Sequence, residues 1–283
     1  MNKWIIGIVT LVLVLAGIIY TIYQLNDYDF NDAEKSYEIV DTWELPSELN
    51  EVSGIVYEKN DLMICVQDED GILFTYDMKA RKIINQHKFS YAGDYEALTY
   101  LDGSYWIAES NGRLINVIDL DVADQEIEGT QLDFEYRNNI EGMAATSNNK
   151  LWITVKDRNL DNSSGYKGVY EYDPASNKLQ REPVLKIDYE DPKFDRLKTH
   201  NPRKLLRPSD LAIHPTTGEL YILDAEFQKI VVTNKQGTIK SIHLLDPAEF
   251  EQPEGIAFSS DGRIFISNER VGVPANIREI RFN

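Results

Sequence analysis

One six-residue phrase recurs five times along this chain, and no other feature limits the possible folds as strongly. It reads Val52-Ser53-Gly54-Ile55-Val56-Tyr57, then Tyr95-Glu96-Ala97-Leu98-Thr99-Tyr100, then Ile140-Glu141-Gly142-Met143-Ala144-Ala145. The fourth copy is Pro208-Ser209-Asp210-Leu211-Ala212-Ile213 and the fifth Pro253-Glu254-Gly255-Ile256-Ala257-Phe258. Counted at the second residue, the steps are 43, 45, 68 and 45. A period of about 40–45 residues is the length of a four-stranded propeller blade. Turn-forming residues follow each phrase, among them Asn60-Asp61, Asp102-Gly103 and Asp261-Gly262, and these accept turn geometry at little cost. A second apolar run comes next (LMICV, YWIA, LWITV, LYIL, RIFIS), then a third that alternates, such as ILFTYD and NIREIRF. Alternation with period two marks strands with one buried face. A fourth, weaker run is present in four copies, for example 82–89 and 239–244.

The fifth copy ends at Phe282 after three strands, and the missing strand is available at the other end, in Tyr37-Glu38-Ile39-Val40-Asp41-Thr42-Trp43. Pairing it into the last blade closes the ring and removes exposed sheet edges. The expected architecture is therefore all-β, a five-bladed β-propeller closed by an N-terminal strand. The 68-residue step holds an insertion of roughly 23 residues beyond the blade period. Part of it is the Gly/Ser/Asn loop at 158–167. The larger part, 188–207, is acidic first (Asp188, Glu190, Asp191, Asp195) and basic later (Arg196, Lys198, Arg203, Lys204, Arg207). Two readings stand: a solvated surface excursion, or a lid or rim that shapes the mouth of the propeller channel.

The propeller does not begin at residue 1. Residues 4–25 carry no charge, and about 20 apolar residues suffice for a bilayer span. Lys3 precedes the run, while Asp27, Asp29, Asp32 and Glu34 follow it. Positive charge stays on the cytoplasmic side. The expectation is one transmembrane helix (1–25), an acidic tether (26–36) and a propeller domain (37–283) on the periplasmic or extracellular side of the cell membrane. A cleaved signal peptide is the rival. Its apolar core is shorter and ends at a small-x-small site, of which Val14-Leu15-Ala16 is a poor version. Both readings export the propeller.

The phrases and the strand ends Ala108-Glu109-Ser110, Val155-Lys156-Asp157-Arg158, Leu223-Asp224-Ala225-Glu226 and Ser267-Asn268-Glu269 together resemble the SdiA-regulated family, itself similar to NHL-repeat propellers. The resemblance covers about residues 38–282, and an N-terminal anchor is typical of the family. It implies a five-bladed propeller with a bound calcium ion at a shared site. It implies no particular biochemical activity.

In a propeller the first strand of each blade lines the channel, so equivalent positions meet around one axis. The second phrase residue is Ser53, Glu96, Glu141, Ser209 or Glu254. Near the end of the following strand, with one residue of slack, all five blades carry an acid: Asp68, Glu109, Asp157, Asp224 and Glu269. Crowded carboxylates need a raised pKa or a cation. Oxygen-only ligands in irregular geometry suit calcium, which takes about six to eight oxygens, better than magnesium. The expected metal ligands are Glu96, Glu141 and Glu254, helped by Asp157, Asp224 and Glu269. The bland alternative is that these acids bond strand-end amides or pair with Lys156 and arginines.

Other signals are weaker. Asp68-Glu69-Asp70-Gly71 opens like an EF-hand loop, but the twelfth position is Lys79 instead of an acid, so it reads as a hairpin turn. The four histidines have no metal-binding spacing. Trp43, Trp106 and Trp152 read as blade packing. Cys65, the single cysteine, reads as a core residue. With 29 Lys+Arg against 47 Asp+Glu the formal charge is −18, which argues against nucleic-acid binding. Three functions fit. The first is a binding or sensing module of the cell envelope, whose channel mouth holds an envelope protein, a glycan or a small molecule. The second is a calcium-dependent hydrolase of a lactone, ester or phosphate. The third is a structural envelope scaffold.

Overall fold

The computed structural model describes residues 35–121, 127–199 and 201–283. The expected anchor and nearly all of the tether lie outside them. Among the described residues no helix is long and apolar enough to cross a membrane.

The alternating runs become antiparallel strands in five sheets. The chain enters through β1 (Tyr37–Glu44). The first blade is β2 (Val52–Glu58), β3 (Leu62–Gln67), β4 (Ile72–Asp77) and β5 (Lys82–Lys88). The second is β6 (Tyr95–Leu101), β7 (Ser104–Glu109), β8 (Arg113–Val117) and the short β9 (Thr130–Gln131). The third is β10 (Ile140–Ala145), β11 (Leu151–Val155), β12 (Tyr166–Asp173) and β13 (Lys178–Leu179), with β14 (Leu185–Asp188) also paired to β12. The fourth is β15 (Asp210–Ile213), β16 (Leu220–Asp224), β17 (Lys229–Thr233) and β18 (Ile239–Leu244). The fifth holds β19 (Pro253–Phe258), β20 (Ile264–Asn268) and β21 (Asn276–Phe282), and β1 completes it from outside, Tyr37 opposite Phe282 and Glu44 opposite Asn276. Neighbouring inner strands touch in the order β2, β6, β10, β15, β19 and back to β2. The ring is closed as the repeats predict.

The third residue of the phrase is small because inner strands approach closely. A Cβ on Gly54 would lie 3.0 Å from the Leu98 Cβ of the next blade, and one on Gly142 would lie 2.8 Å from the Asp210 Cα. The fourth blade breaks the pattern with Asp210. Its buried carboxylate accepts from the backbone N–H of Leu211 (2.7 Å) and, across the blade boundary, of Ile256 (2.8 Å).

The core is divided among the blade interfaces. Trp43, Phe265 and Ile277 of the last blade pack on Ile55, Cys65 and Phe74 of the first. Equivalent clusters fill the other four interfaces. Cys65 is fully buried, and burial pushes its thiol up. Trp106 and Trp152 pack against such clusters too, as read from their place in strands.

The long insertion is not a solvated excursion. Phe194, Leu197, Leu205 and Leu206 are buried in the cluster between the third and fourth blades. Two short helical turns, Pro192–Leu197 and Pro202–Leu205, present them. Each turn has Pro at its start and a side-chain cap: Asp191 accepts from Lys193 N–H and Asn201 from Arg203 N–H, which satisfies an otherwise orphaned donor.

Candidate metal centre

In four of the five blades the residue at the second phrase position gains its orientation from a β-bulge. The pairing slips between Val52 and Gly54, Tyr95 and Ala97, Ile140 and Gly142, and Pro253 and Gly255. The extra residue each time is Ser53, Glu96, Glu141 or Glu254. A bulge frees one residue from the ladder and re-aims its side chain. Where that residue is Ser53, its Oγ donates to the Tyr95 carbonyl (2.6 Å) and ties blades together, as Ser209 Oγ does through the Pro253 carbonyl (2.9 Å) in the fourth blade, whose pairing has no slip. Where it is Glu, a carboxylate enters the interior. Glu141 and Glu254 are buried and Glu96 is partly so.

Register also resolves the slack in the strand-end acids. The third phrase residues Gly54, Ala97, Gly142, Asp210 and Gly255 face Val66, Ala108, Thr154, Leu223 and Ser267. Two positions later stand Asp68, Ser110, Lys156, Ala225 and Glu269. Only the first and fifth blades carry an acid there. Glu109 and Asp224 fall one residue short and Asp157 one beyond, and a one-residue offset turns a side chain to the other face. There, cations meet them. Glu109 pairs with Arg113 at 2.7 Å, Asp157 with Arg207 at 2.7 Å, and buried Asp224 with buried Lys229 at 2.5 Å. Asp224 also accepts from the N–H groups of Arg207 (2.8 Å) and Phe227 (3.0 Å). The predicted ligands Asp157 and Asp224 are thus occupied by ion pairs.

Glu96, Glu141 and Glu254 do share one electrostatic neighbourhood. Burial, and then repulsion from Glu141, Asp94 and Glu254, pushes Glu96 up to about 10. Burial lifts Glu141 to about 8 against the pull of Lys156, whose Nζ lies 3.0 Å from Glu141 Oε2. Asn139 Nδ2 donates to the other oxygen at 2.7 Å. Burial raises Glu254 as well, again with Lys156 opposing. The interior ring therefore has its own cation, on the third blade.

Where the fifth and first blades meet at this end of the channel, acids gather without an ion pair among the described residues, and Lys156 acts on Glu269 only through its field. Oxygens of Glu51, Asp68 and Glu269 lie within 4.8 Å of one another, the one such group of acids among the described residues. No ion pair reaches any of the three among those residues. Burial, then the charges of Glu254, Asp68 and Glu51, pushes Glu269 up to about 9. Burial, then Glu51, Glu69 and Asp94, lifts Asp68 to about 6. The Asp68 Oδ1 atom is buried with no hydrogen-bond partner. Gln252 Nε2 donates to Glu269 Oε2. Of the predicted ligands, Glu269 belongs to this group and Glu254 adjoins it electrostatically. Glu51 and Asp68 were not among the predicted ligands. Asp68 stands in the row of strand-end acids, and the signal for Glu51 lies one residue before the phrase, where the chain carries Glu51, Asp94, Asn139, Arg207 and Gln252. The carbonyls of Glu51, Asn139 and Gln252 accept the N–H groups of Asp68, Lys156 and Glu269, stacking the two positions.

The far end of the channel is apolar. A cavity of about 530 Å³ is lined by the ends of the phrases, including Tyr57, Tyr100, Ile213 and Phe258. The buried carboxylates Glu96, Glu141 and Glu254 stand at the opposite end, where the inner strands begin.

Solved structures share this architecture. Myxococcus xanthus glutaminyl cyclase aligns with a TM-score of 0.60 at 13% identity, covering 88% of this chain and 97% of its own. The PQQ-bound aldose sugar dehydrogenase of Streptomyces coelicolor aligns with a TM-score of 0.52 at 9% identity, covering 90% and 100%. At such identities the likeness shows the fold alone. No curated protein matches the chain. The SdiA-regulated profile matches residues 32–271, from the tether through the inner strands of all five blades. The chain belongs to the SdiA-regulated family.

Proposed function

We propose that this protein is a membrane-anchored, extracytoplasmic calcium-binding propeller that serves as a binding or sensing module of the cell envelope. The observation that carries the metal reading is the uncompensated group Glu51, Asp68 and Glu269, with Asp68 Oδ1 buried and unpartnered. Its donors are all oxygens, and Gln252 and Glu254 stand beside them. Three carboxylates without a cation favour a hard divalent ion, and irregular spacing favours calcium over magnesium. The anchor reading rests on the uncharged run at 4–25 and the charges that flank it.

Calorimetric titration of chelator-stripped protein with calcium, with a parallel thermal melt, tests the metal. One binding event is expected. At about 100 Kd of free calcium, linkage adds about 2.7 kcal/mol, or about 5–10 °C in Tm for a domain of this size. Both signals should vanish in an Asp68→Asn, Glu269→Gln double variant. An unchanged isotherm in that variant would place the ion elsewhere, and no heat from the parent would end the metal reading. Retention of the chain in alkali-washed membranes tests the anchor.

The hydrolase reading draws on one feature. Three protein carboxylates leave a calcium ion short of its usual six to eight ligands. A cavity of about 460 Å³ lined by Glu254, Glu251 and Gln252 adjoins. Turnover of lactones, esters or phosphates by calcium-loaded protein, lost in the same double variant, is the result that reading requires.

A further inference from the structure

The mouth of the ring is electrically lopsided. Glu51, Asp68 and Glu269, without an ion pair among the described residues, gather where the fifth and first blades meet. Across the ring, the insertion between the third and fourth blades builds a cavity of about 620 Å³ lined by six cationic side chains. They are Arg137, Lys156, Arg158, Lys167, Arg203 and Arg207, and Asp157 is the one carboxylate among the lining residues. In a chain of formal charge −18 such a grouping runs against the average.

Neighbouring acids account for only part of the charge. Arg137 pairs with Glu135 at 2.9 Å and Lys156 with Glu141 at 3.0 Å. Arg207 bridges Asp157 and Glu226, and Arg203 reaches Asp157 only at 3.8 Å. Arg158 makes no ion pair among the described residues. Lys167 is 2% exposed, and its Nζ donates to two neutral carbonyls, of Lys156 at 2.8 Å and Asp157 at 2.9 Å. Burial holds that ammonium down at about 8. The Arg207 Nε is buried with no hydrogen-bond partner. A buried ammonium bonded only to carbonyls, its burial offset only in part by the charges of Asp157 and Asp224, and an orphaned guanidinium N–H are both costly, and both favour an anion in the cavity.

We propose that this cavity binds the phosphate group of a small phosphorylated molecule. A phosphate monoester presents up to two charges and three acceptor oxygens, which matches a site with Arg158 and Lys167 in excess and Arg203 weakly engaged. Guanidinium pairs suit phosphate through parallel N–H bonds. The hydroxyl-bearing Ser163 and Ser164 line the same cavity, and Tyr166 and Tyr189 supply flat surface for the remainder of the molecule. None of Glu51, Asp68 and Glu269 lines this cavity, although Lys156 and Arg207 also line the cavity beside Glu254.

The test is calorimetric titration of the full-length, calcium-free protein in detergent with inorganic phosphate and, separately, with phenyl phosphate. Sodium sulfate and sodium benzoate serve as controls. Saturable binding of both phosphates is expected, with phenyl phosphate the tighter, and with affinity falling as salt rises. An Arg158→Gln variant should bind about tenfold more weakly, and an Arg158→Gln, Arg203→Gln double variant more weakly still. Both positions are exposed, so circular dichroism should show a parental fold. Absence of saturable phosphate binding, or equal affinity in the double variant, would overturn the proposal. Equal binding of benzoate would replace the phosphate with a carboxylate and overturn the stated class. Because calcium is absent throughout, failure here leaves the metal reading intact, and failure of the metal reading leaves this one intact.

Discussion

At the scale of single residues, one step along a strand decides whether a strand-end acid meets a cation among the described residues: Glu109, Asp157 and Asp224 do, Asp68 and Glu269 do not. The sequence shows that every blade ends its second strand near an acid. It does not show that Glu109, Asp157 and Asp224 stand out of step with Asp68 and Glu269. That difference depends on pairing register, and one residue reverses the face. The cations Arg113, Arg207 and Lys229 that absorb the three are equally invisible until strands are paired. Two consequences can be measured. Asp157→Asn should leave calcium heat and stoichiometry unchanged, whereas Asp68→Asn should reduce both, and the reverse outcome would restore Asp157 as a ligand. Lys229→Met strands the fully buried Asp224 carboxylate without its partner. Breaking a buried pair on one side costs about 3–5 kcal/mol, so the urea midpoint should fall sharply. A companion Asp224→Leu, Lys229→Met variant should recover most of the loss, because no lone charge remains buried.

At the scale of elements, the repeated phrase gave the blades their number and their inner strands, because period-two alternation and turn residues are local signals. The clasp was legible for the same reason: three strands at one end and one at the other. The insertion was not. Phe194, Leu197, Leu205 and Leu206 are spaced irregularly, and their burial depends on a surface supplied by two other blades. Close approach of inner strands yields a further prediction. Gly142→Ala places a Cβ about 2.8 Å from the Asp210 Cα, where backbone has to move. Overpacking of this kind costs about 1–3 kcal/mol, to be read as a lower urea midpoint with an unchanged slope. Deleting β1 should do more. Without Tyr37–Glu44 the fifth blade loses its outer strand, and Tyr37 and Trp43 leave two core clusters. A deletion variant that melts with the parent would mean the ring does not need closing.

At the scale of the whole molecule, the acidic mouth sets a dependence on pH. Glu96, Glu141 and Glu269 are pushed up to about 10, 8 and 9, above the unfolded value of about 4.3. The folded chain therefore holds protons that the unfolded chain has released, and stability falls as pH rises through this interval. Each such carboxyl contributes a slope of about 1.4 kcal/mol per pH unit. Between about pH 6.5 and 8, above the titration of half-buried His243 and below that of Lys167, these groups dominate. Calcium-free protein should melt progressively lower across that window, and saturating calcium should flatten the trend by taking the place of the Glu269 proton. A Tm that climbs with pH in calcium-free buffer would contradict the account.

The clasp has a consequence for how the molecule is born. β1 is made first and its partner β21 last, so the opening strand has nothing to pair with while almost the entire ring is synthesised. A bare strand edge recruits whatever complementary edge is near, and where copies are synthesised side by side that edge belongs to another nascent copy. Exchange of β1 between two chains would then yield a swapped dimer, with each fifth blade completed by its neighbour. Glu38, Asp41 and Glu44 along β1 repel their counterparts on a second unpaired β1. The carboxylates that leave the finished rim looking merely polar thus act earliest, before there is a ring at all.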